Sequence, residues 1–191
     1  MTLRENPAEA LLVVDVQSAF VTGPGAVPEA DSLLDRTGEL IARARAAGAL
    51  VVHVQNDGPP AADCEPNTPG WELHHRVEPG PAELVIRKVR DDSFEGTSLG
   101  ALLTDAGVRS LVVCGMMSEM YVQATARTAL ARGYRVVVPY DAHATHDIPA
   151  APGIADAVPA ATVSRVAAWA LSRDADVTTP TASVTFTTPP S

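Results

Sequence analysis

LVVCGMMSEMYVQATARTALARGYRVVVPYDA, residues 111–142, alternates two periodicities within 32 residues. Leu111, Val112 and Val113 form a short β-branched apolar run, as a strand buried on both faces of a parallel sheet requires. Gly115 ends the run, and Ser118 is placed to cap a helix that starts at Glu119 and stops at Gly133. A second buried strand follows. This order predicts a strand, a tight crossover, a helix and a neighbouring strand. Tyr121 then falls in the first helical turn, at the carboxyl end of a parallel strand. Open α/β sheets bind ligands at that edge, and a helix N-terminus favours negative charge there.

Working outward, LLVVDVQ within residues 9–17 reads as a first buried strand with Asp15 at its end. Residues 18–30 are a Gly/Pro-rich loop. Leu33, Leu34, Leu40, Ile41 and Ala44 give residues 32–47 one apolar face, so they read as an amphipathic helix closed by Gly48. Residues 49–55 form a second strand containing His53. Residues 56–81 are a long Pro- and Gly-bearing loop with Trp71, His74 and His75, a length usually kept for function. Residues 83–89 are a third strand, interrupted by Lys88. A turn with Phe94 and a short helix over 98–106 lead into the opening stretch. A last helix is expected over 160–171 and a Val/Thr edge strand over 176–186. Met1 to Pro7 reads as a loose start. Strands alternating with helices give an α/β fold, a mostly parallel sheet with helices on both faces. One domain is expected over residues 1–186, followed by a short frayed tail over 187–191.

The chain has 191 residues, 46% of them hydrophobic, and a formal charge of −9 without a basic cluster. Nucleic-acid and anionic-membrane partners are therefore not expected. Cys64 and Cys114 make no disulfide framework. No apolar segment is long enough to span a bilayer and the N-terminus lacks a signal-peptide pattern, so a cytoplasmic protein is expected. There is no GxGxxG after the first strand and no Walker loop, which leaves a dinucleotide or nucleoside triphosphate without a site.

Asp15, Lys88 and Tyr121 are the polar residues that break apolar strand-end contexts. In a parallel sheet all three can share one carboxyl edge, where an acid and a lysine tune each other's proton affinity for acid–base work. Each also has a structural reading. Asp15 can cap the following loop, Lys88 can be an edge-strand charge that blocks aggregation, and Tyr121 can be a packed aromatic.

The chain resembles the isochorismatase-like hydrolase superfamily, also called the cysteine hydrolases. The resemblance rests on LLVVDVQSAF (11–20), RKVRDDSFEGTSL (87–99), GMMSEMYVQATARTAL (115–130) and YDAHATHD (140–147). HVQNDGPP (53–60) and GWELH (70–74) look nearest its streptothricin-hydrolase-like branch. The resemblance implies a three-layer α/β/α fold with a six-stranded, mostly parallel sheet, and homodimers or higher oligomers. It also implies a catalytic Asp, Lys and Cys. Asp15 and Lys88 match the first two, whereas Tyr121 stands where most members carry Cys. Cys114, seven residues earlier and inside the strand, does not match the nucleophile and reads as a small buried apolar residue. Cys64 lies in the long loop, away from the helix dipole that would activate a thiol.

A phenol, with an unperturbed pKa of about 10, is a poorer nucleophile near neutrality than a thiol. Thioester chemistry at position 121 is therefore excluded. Family members without Cys offer another route, in which the Asp protonates a vinyl ether and water attacks the resulting cationic carbon. Catalysis is accordingly expected from Asp15, Lys88 and Tyr121. The resemblance further places an oxyanion hole and a cis peptide near Met116–Met117. Met117 and Met120 would line the pocket beside Tyr121, with Gln17, Phe20, Trp71 and Phe94 as walls and Asn56 and His74 as polar contacts. The histidines lack the spacing of the family's metal-binding branch, so no metal and no cofactor is expected.

Three activities fit these residues. The first is a non-cysteine hydrolase of a small molecule, using Asp15 and Lys88. The second is a non-catalytic member that binds a small molecule or a protein. The third is a cyclase, isomerase or lyase of specialised metabolism with Tyr121 as the acid–base group.

Overall fold

The computed structural model describes residues 6–78 and 80–190. The strands are β1 (Ala10–Val14), β2 (Leu50–Asn56), β3 (Glu83–Lys88), β4 (Ser110–Met116), β5 (Arg135–Val137) and β6 (His143–Ala144). The helices are α1 (Ser18–Val21), α2 (Ala30–Ala46), α3 (Leu99–Asp105), α4 (Gln123–Ala131) and α5 (Ala160–Trp169). The sheet runs β3-β2-β1-β4-β5, with β6 continuing beside β4, and every strand pair is parallel.

The pleat of β1 builds the layers. Leu11 and Val13 face one core with Leu33, Leu40, Ile41 and Ala44 of α2. Ala10, Leu12 and Val14 face a second core with Leu99 and Leu103 of α3, Ala126 and Ala129 of α4, and Ala168 of α5. Side chains alternate faces along a strand, so an all-apolar β1 needs helices on both sides. Gly115 lets β4 pass β1. Its φ is +115°, and a Cβ there would collide with the Val14 carbonyl oxygen.

Three expectations change. The 176–186 strand does not form; only Asp176 and Phe186 make single bridges, to Val137 and Ala8. Pro180 offers no N–H to a ladder, and the Asp141 carboxylate takes the N–H and hydroxyl of Thr181, winding Thr181–Ser183 into a 3-10 turn. The head of the crossover helix is π-helical over Ser118–Val122, with the Val122 N–H donating to the Met117 carbonyl. Ser118 does not cap it. At the start of the expected tail the chain is hydrogen-bonded: Thr187 N–H donates to the Ala8 carbonyl and the Thr188 hydroxyl to the Ala47 carbonyl. Of the expected loose start, residues 1–5 lie outside the described residues, as does Ser191 of the tail.

Candidate active site

Asp15 leaves β1 with φ +53°, in the left-handed region that Asp tolerates better than most residues. This turn places its carboxylate at the carboxyl edge of the sheet, where β3 delivers Lys88. Lys88 Nζ lies 2.6 Å from Asp15 Oδ2, and both side chains are fully shielded from solvent. Asp15 Oδ1 has no hydrogen-bond partner among the described residues. Burial pushes the Asp15 carboxyl up, Lys88 pulls it down and Asp91 adds to the rise, leaving it at about 7. A buried ion pair whose second carboxylate oxygen is unsatisfied is costly for stability alone, and such a group is a candidate for chemistry.

Tyr121 closes the site. Its ring lies over Lys88, with Nζ 4.0 Å from the ring centroid. The phenol titrates above its ordinary range, through desolvation first and then through Asp15, Asp91, Cys64 and Glu119. It is therefore a neutral hydroxyl near pH 7. The cis peptide lies at Met116–Met117, immediately before this turn.

Asn56, at the end of β2, joins the site through its side chain. Its Oδ1 accepts from Lys88 Nζ at 3.5 Å, and its Nδ2 donates to Cys64 Sγ at 3.5 Å. The loop thiol thus already sits at the edge of the cluster. Cys114 does not: it is buried inside β4 and burial pushes its thiol up.

The walls divide. Gln17 is completely buried and its amide is spent on backbone, accepting from Asn56 N–H and donating to the Asn56 and Trp71 carbonyls. It clamps the loop that follows β2 instead of facing a ligand. Trp71 is held beside the cluster, its indole N–H donating to Asp57 Oδ1 and its ring stacked under Arg87. Met117 is buried in the α2-side core, against which Phe20 also packs. Met120 is exposed at the turn. Phe94 is buried in the core cluster against which Tyr121 packs, stacked on Tyr134 with the Arg132 guanidinium over its ring. His74 is exposed with its ring edge-on to His75, outside the Asp15–Lys88–Asn56 cluster.

Two acids escaped the sequence reading. Asp91 acts on both Asp15 and Tyr121. Glu119 acts on Tyr121, and its Oε2 is buried without a partner among the described residues. The signals were present in RDDS directly after Lys88 and in the residue two before Tyr121. Among the described residues no group of three or more His, Cys, Asp or Glu could hold a metal ion. No described helix is long and apolar enough to cross a membrane.

A six-stranded parallel sheet with helices on both faces and a buried acid–lysine pair at its carboxyl edge defines an open α/β protein, whose ligands bind at that edge. Residues 9–170 match the Isochorismatase domain, and the chain belongs to the isochorismatase family of hydrolases. Two streptothricin hydrolases of Streptomyces noursei are each 64% identical, over 185 and 182 residues. These alignments take in 97% and 95% of this chain, and 73% and 66% of the relatives. The crystal structure of an isochorismatase from Pseudomonas putida superposes with a TM-score of 0.84 at 30% identity, covering 96% of this chain and 92% of that one.

Proposed function

We propose that this protein hydrolyses a small molecule by acid–base chemistry at Asp15 and Lys88, without a cysteine nucleophile at position 121. The observation that carries the reading is the 2.6 Å ion pair shielded from solvent, with Asp15 poised at about 7. Near neutrality that carboxyl is present in both protonation states, as a group that takes and returns a proton must be. For a vinyl ether, the Asp15 carboxyl gives its proton to the alkene carbon. Water then adds to the resulting cationic carbon and its proton returns to Asp15. The hemiketal so formed collapses as its hydroxyl loses a proton, the ether oxygen gains one from Asp15 and the C–O bond to that oxygen breaks, releasing a ketone and an alcohol. For an amide, water adds to the carbonyl carbon while Asp15 accepts its proton. Asp15 then passes that proton to the nitrogen as the C–N bond breaks. Lys88 holds the carboxylate in place and limits the rise of its proton affinity. Tyr121, protonated, donates a hydrogen bond to a substrate oxygen once its ring has turned off Lys88.

The relatives' name makes streptothricin the first substrate to offer, followed by vinyl ethers and small amides. Product formation, followed by mass spectrometry, is expected from the wild-type protein and not from Asp15→Asn. Equal turnover by the Asn variant overturns the reading.

A second reading is favoured by the Tyr121 ring itself, which lies over the one cation of the pair. In that reading the site is plugged and the protein binds a ligand without converting it. Saturable binding with no product, in both wild-type protein and Tyr121→Phe, is its signature. A cyclase or isomerase role instead requires the hydroxyl, and loss of product in Tyr121→Phe is its signature. We also propose that the chain self-associates. Val166 and Trp169 form an exposed apolar stripe on α5, and sedimentation of the intact chain tests this.

A further inference from the structure

Ser118, in the turn that carries Tyr121, holds together two side chains that line a cavity, His143 and Ser164. Ser118 Oγ lies 2.8 Å from His143 Nδ1 and 3.0 Å from Ser164 Oγ. His143 is 8% exposed, and its Nε2 has no hydrogen-bond partner among the described residues. Burial lowers the imidazole to about 4, so it is neutral near pH 7 and one of its two nitrogens keeps an unused donor or acceptor. Nothing in the Asp15–Lys88 chemistry uses this group.

The space beside it is large enough for a small molecule. One cavity of about 440 Å³ is lined by His143, Ser164, Arg165, Ala161, Ala168 and Val177, together with Glu29, Tyr140 and Thr178. A second, of about 220 Å³, shares Glu29, Tyr140 and His143 and adds Asp141. The larger falls within the usual size of ligand sites, about 300–1,000 Å³.

The larger cavity is lined by charges of both signs. Arg165 lines only the larger one, Asp141 only the smaller one, and Glu29 lines both. Asp141 is occupied by Thr181 and Arg36. Glu29 and Arg165 form no side-chain ion pair or hydrogen bond among the described residues. A cation and an anion without side-chain partners among the described residues, in one cavity with Ala161, Ala168 and Val177, match a molecule of one chemistry. It carries a carboxylate and an ammonium on a short apolar body.

We propose that this cavity binds a free α-amino acid with a small branched apolar side chain, its carboxylate toward Arg165 and its ammonium toward Glu29. Neutral His143 and Ser164, held by Ser118, supply uncharged hydrogen-bonding capacity in the lining, and Ala161, Ala168 and Val177 cover the side chain. None of Asp15, Lys88, Tyr121 and Asn56 lines either cavity.

Calorimetric titration of the full chain with L-valine tests it. Two half-molecules serve as controls: isobutylamine, which lacks the carboxylate, and 3-methylbutanoate, which lacks the ammonium. Saturable valine binding is expected below about 10 mM, with each half-molecule at least about tenfold weaker. Arg165→Ala and Glu29→Gln change exposed side chains, so both variants are expected to fold. Arg165→Ala is expected to weaken valine by about tenfold and leave isobutylamine unchanged. Glu29→Gln is expected to weaken valine and leave 3-methylbutanoate unchanged. Absence of saturable heat in the wild-type protein overturns the proposal. So does valine binding that neither variant alters, or half-molecules that bind as well as valine.

Discussion

Asp15 and Lys88 each lose all solvent on folding, and each is the other's principal compensation. Removing one charge strands its partner, which costs about 3–5 kcal/mol, whereas removing both leaves nothing unpaired. Asp15→Asn and Lys88→Met are therefore each expected to lower stability by about 3 kcal/mol, with the double variant recovering most of that loss. Asn keeps the left-handed φ, so the cycle reads charge and not backbone strain. Denaturant unfolding of the four proteins measures it, and additive losses contradict the pairing. These two residues were legible in the sequence because each interrupts an apolar strand at its carboxyl end. Asn56 was legible as a polar contact, though its hold on Lys88 and Cys64 was not. Gln17 and Phe94 were expected as walls only through the family resemblance. The Gln17 side chain is spent on the Trp71 and Asn56 backbone, and Phe94 stacks on Tyr134 in the core against which Tyr121 packs. Strand register fixes which end of the sheet a residue reaches, but not the rotamer it adopts in a loop. The His143–Ser118–Ser164 row was invisible for another reason: its members are 25 and 46 residues apart.

The head of the crossover helix carries two of these outcomes at the scale of an element. Its strand, its glycine and its helix were all readable from 111–142, yet its first turn is π-helical and Ser118 is not a cap. The Ser118 hydroxyl is instead held by His143 and Ser164, tertiary partners that no local pattern announces. The same limit explains the 176–186 segment, where Val/Thr alternation promised a strand and Asp141 captured Thr181 instead. Within this element Tyr121 acts by its ring, since its hydroxyl makes no hydrogen bond among the described residues. Tyr121→Phe is expected to hold stability within about 0.5 kcal/mol. Tyr121→Ala is expected to lose about 1–3 kcal/mol of packing and cation–π contact. It should also open Lys88 to amine-acylating reagents, followed by peptide mass spectrometry. Unchanged Lys88 labelling in the Ala variant means that another group covers it. At the strand end, Gly115→Ala drives a methyl into the Val14 carbonyl at a φ that L-residues rarely adopt. A loss of about 4 kcal/mol or more is expected in chemical denaturation, because β1 and β4 cannot separate without breaking the sheet centre.

Over the whole molecule the buried titratable groups pull stability in opposite directions with pH. Glu83 ties β3 to α2 and β2. Burial alone would raise it, but the bonds from Arg45, the Glu78 backbone and His53 prevail and hold it at about 2. Its folded pKa lies below its unfolded value, so its contribution is complete above about pH 4.5 and is lost as pH falls toward 2. His75 and His143 are each lowered to about 4, by burial first. Between about pH 4 and 6.5 the unfolded chain binds their protons more readily, so stability rises with pH through that window. Asp15 runs the other way. Its carboxyl is raised from 3.8 to about 7, so the folded chain holds that proton longer and stability falls as pH rises between those values. Two histidines against one carboxyl leave a net rise from pH 4 to 6.5. The thermal midpoint of the wild-type protein is expected to climb across that range. The Asp15→Asn/Lys88→Met double variant, freed of the opposing carboxyl, is expected to climb more steeply. His143→Gln is expected to flatten the rise, and Glu83→Gln to flatten only the limb below about pH 4.5. A double variant with the wild-type slope would mean that Asp15 keeps its ordinary carboxylate proton affinity in the folded protein. The acid role proposed for it near neutrality would then lose its physical basis.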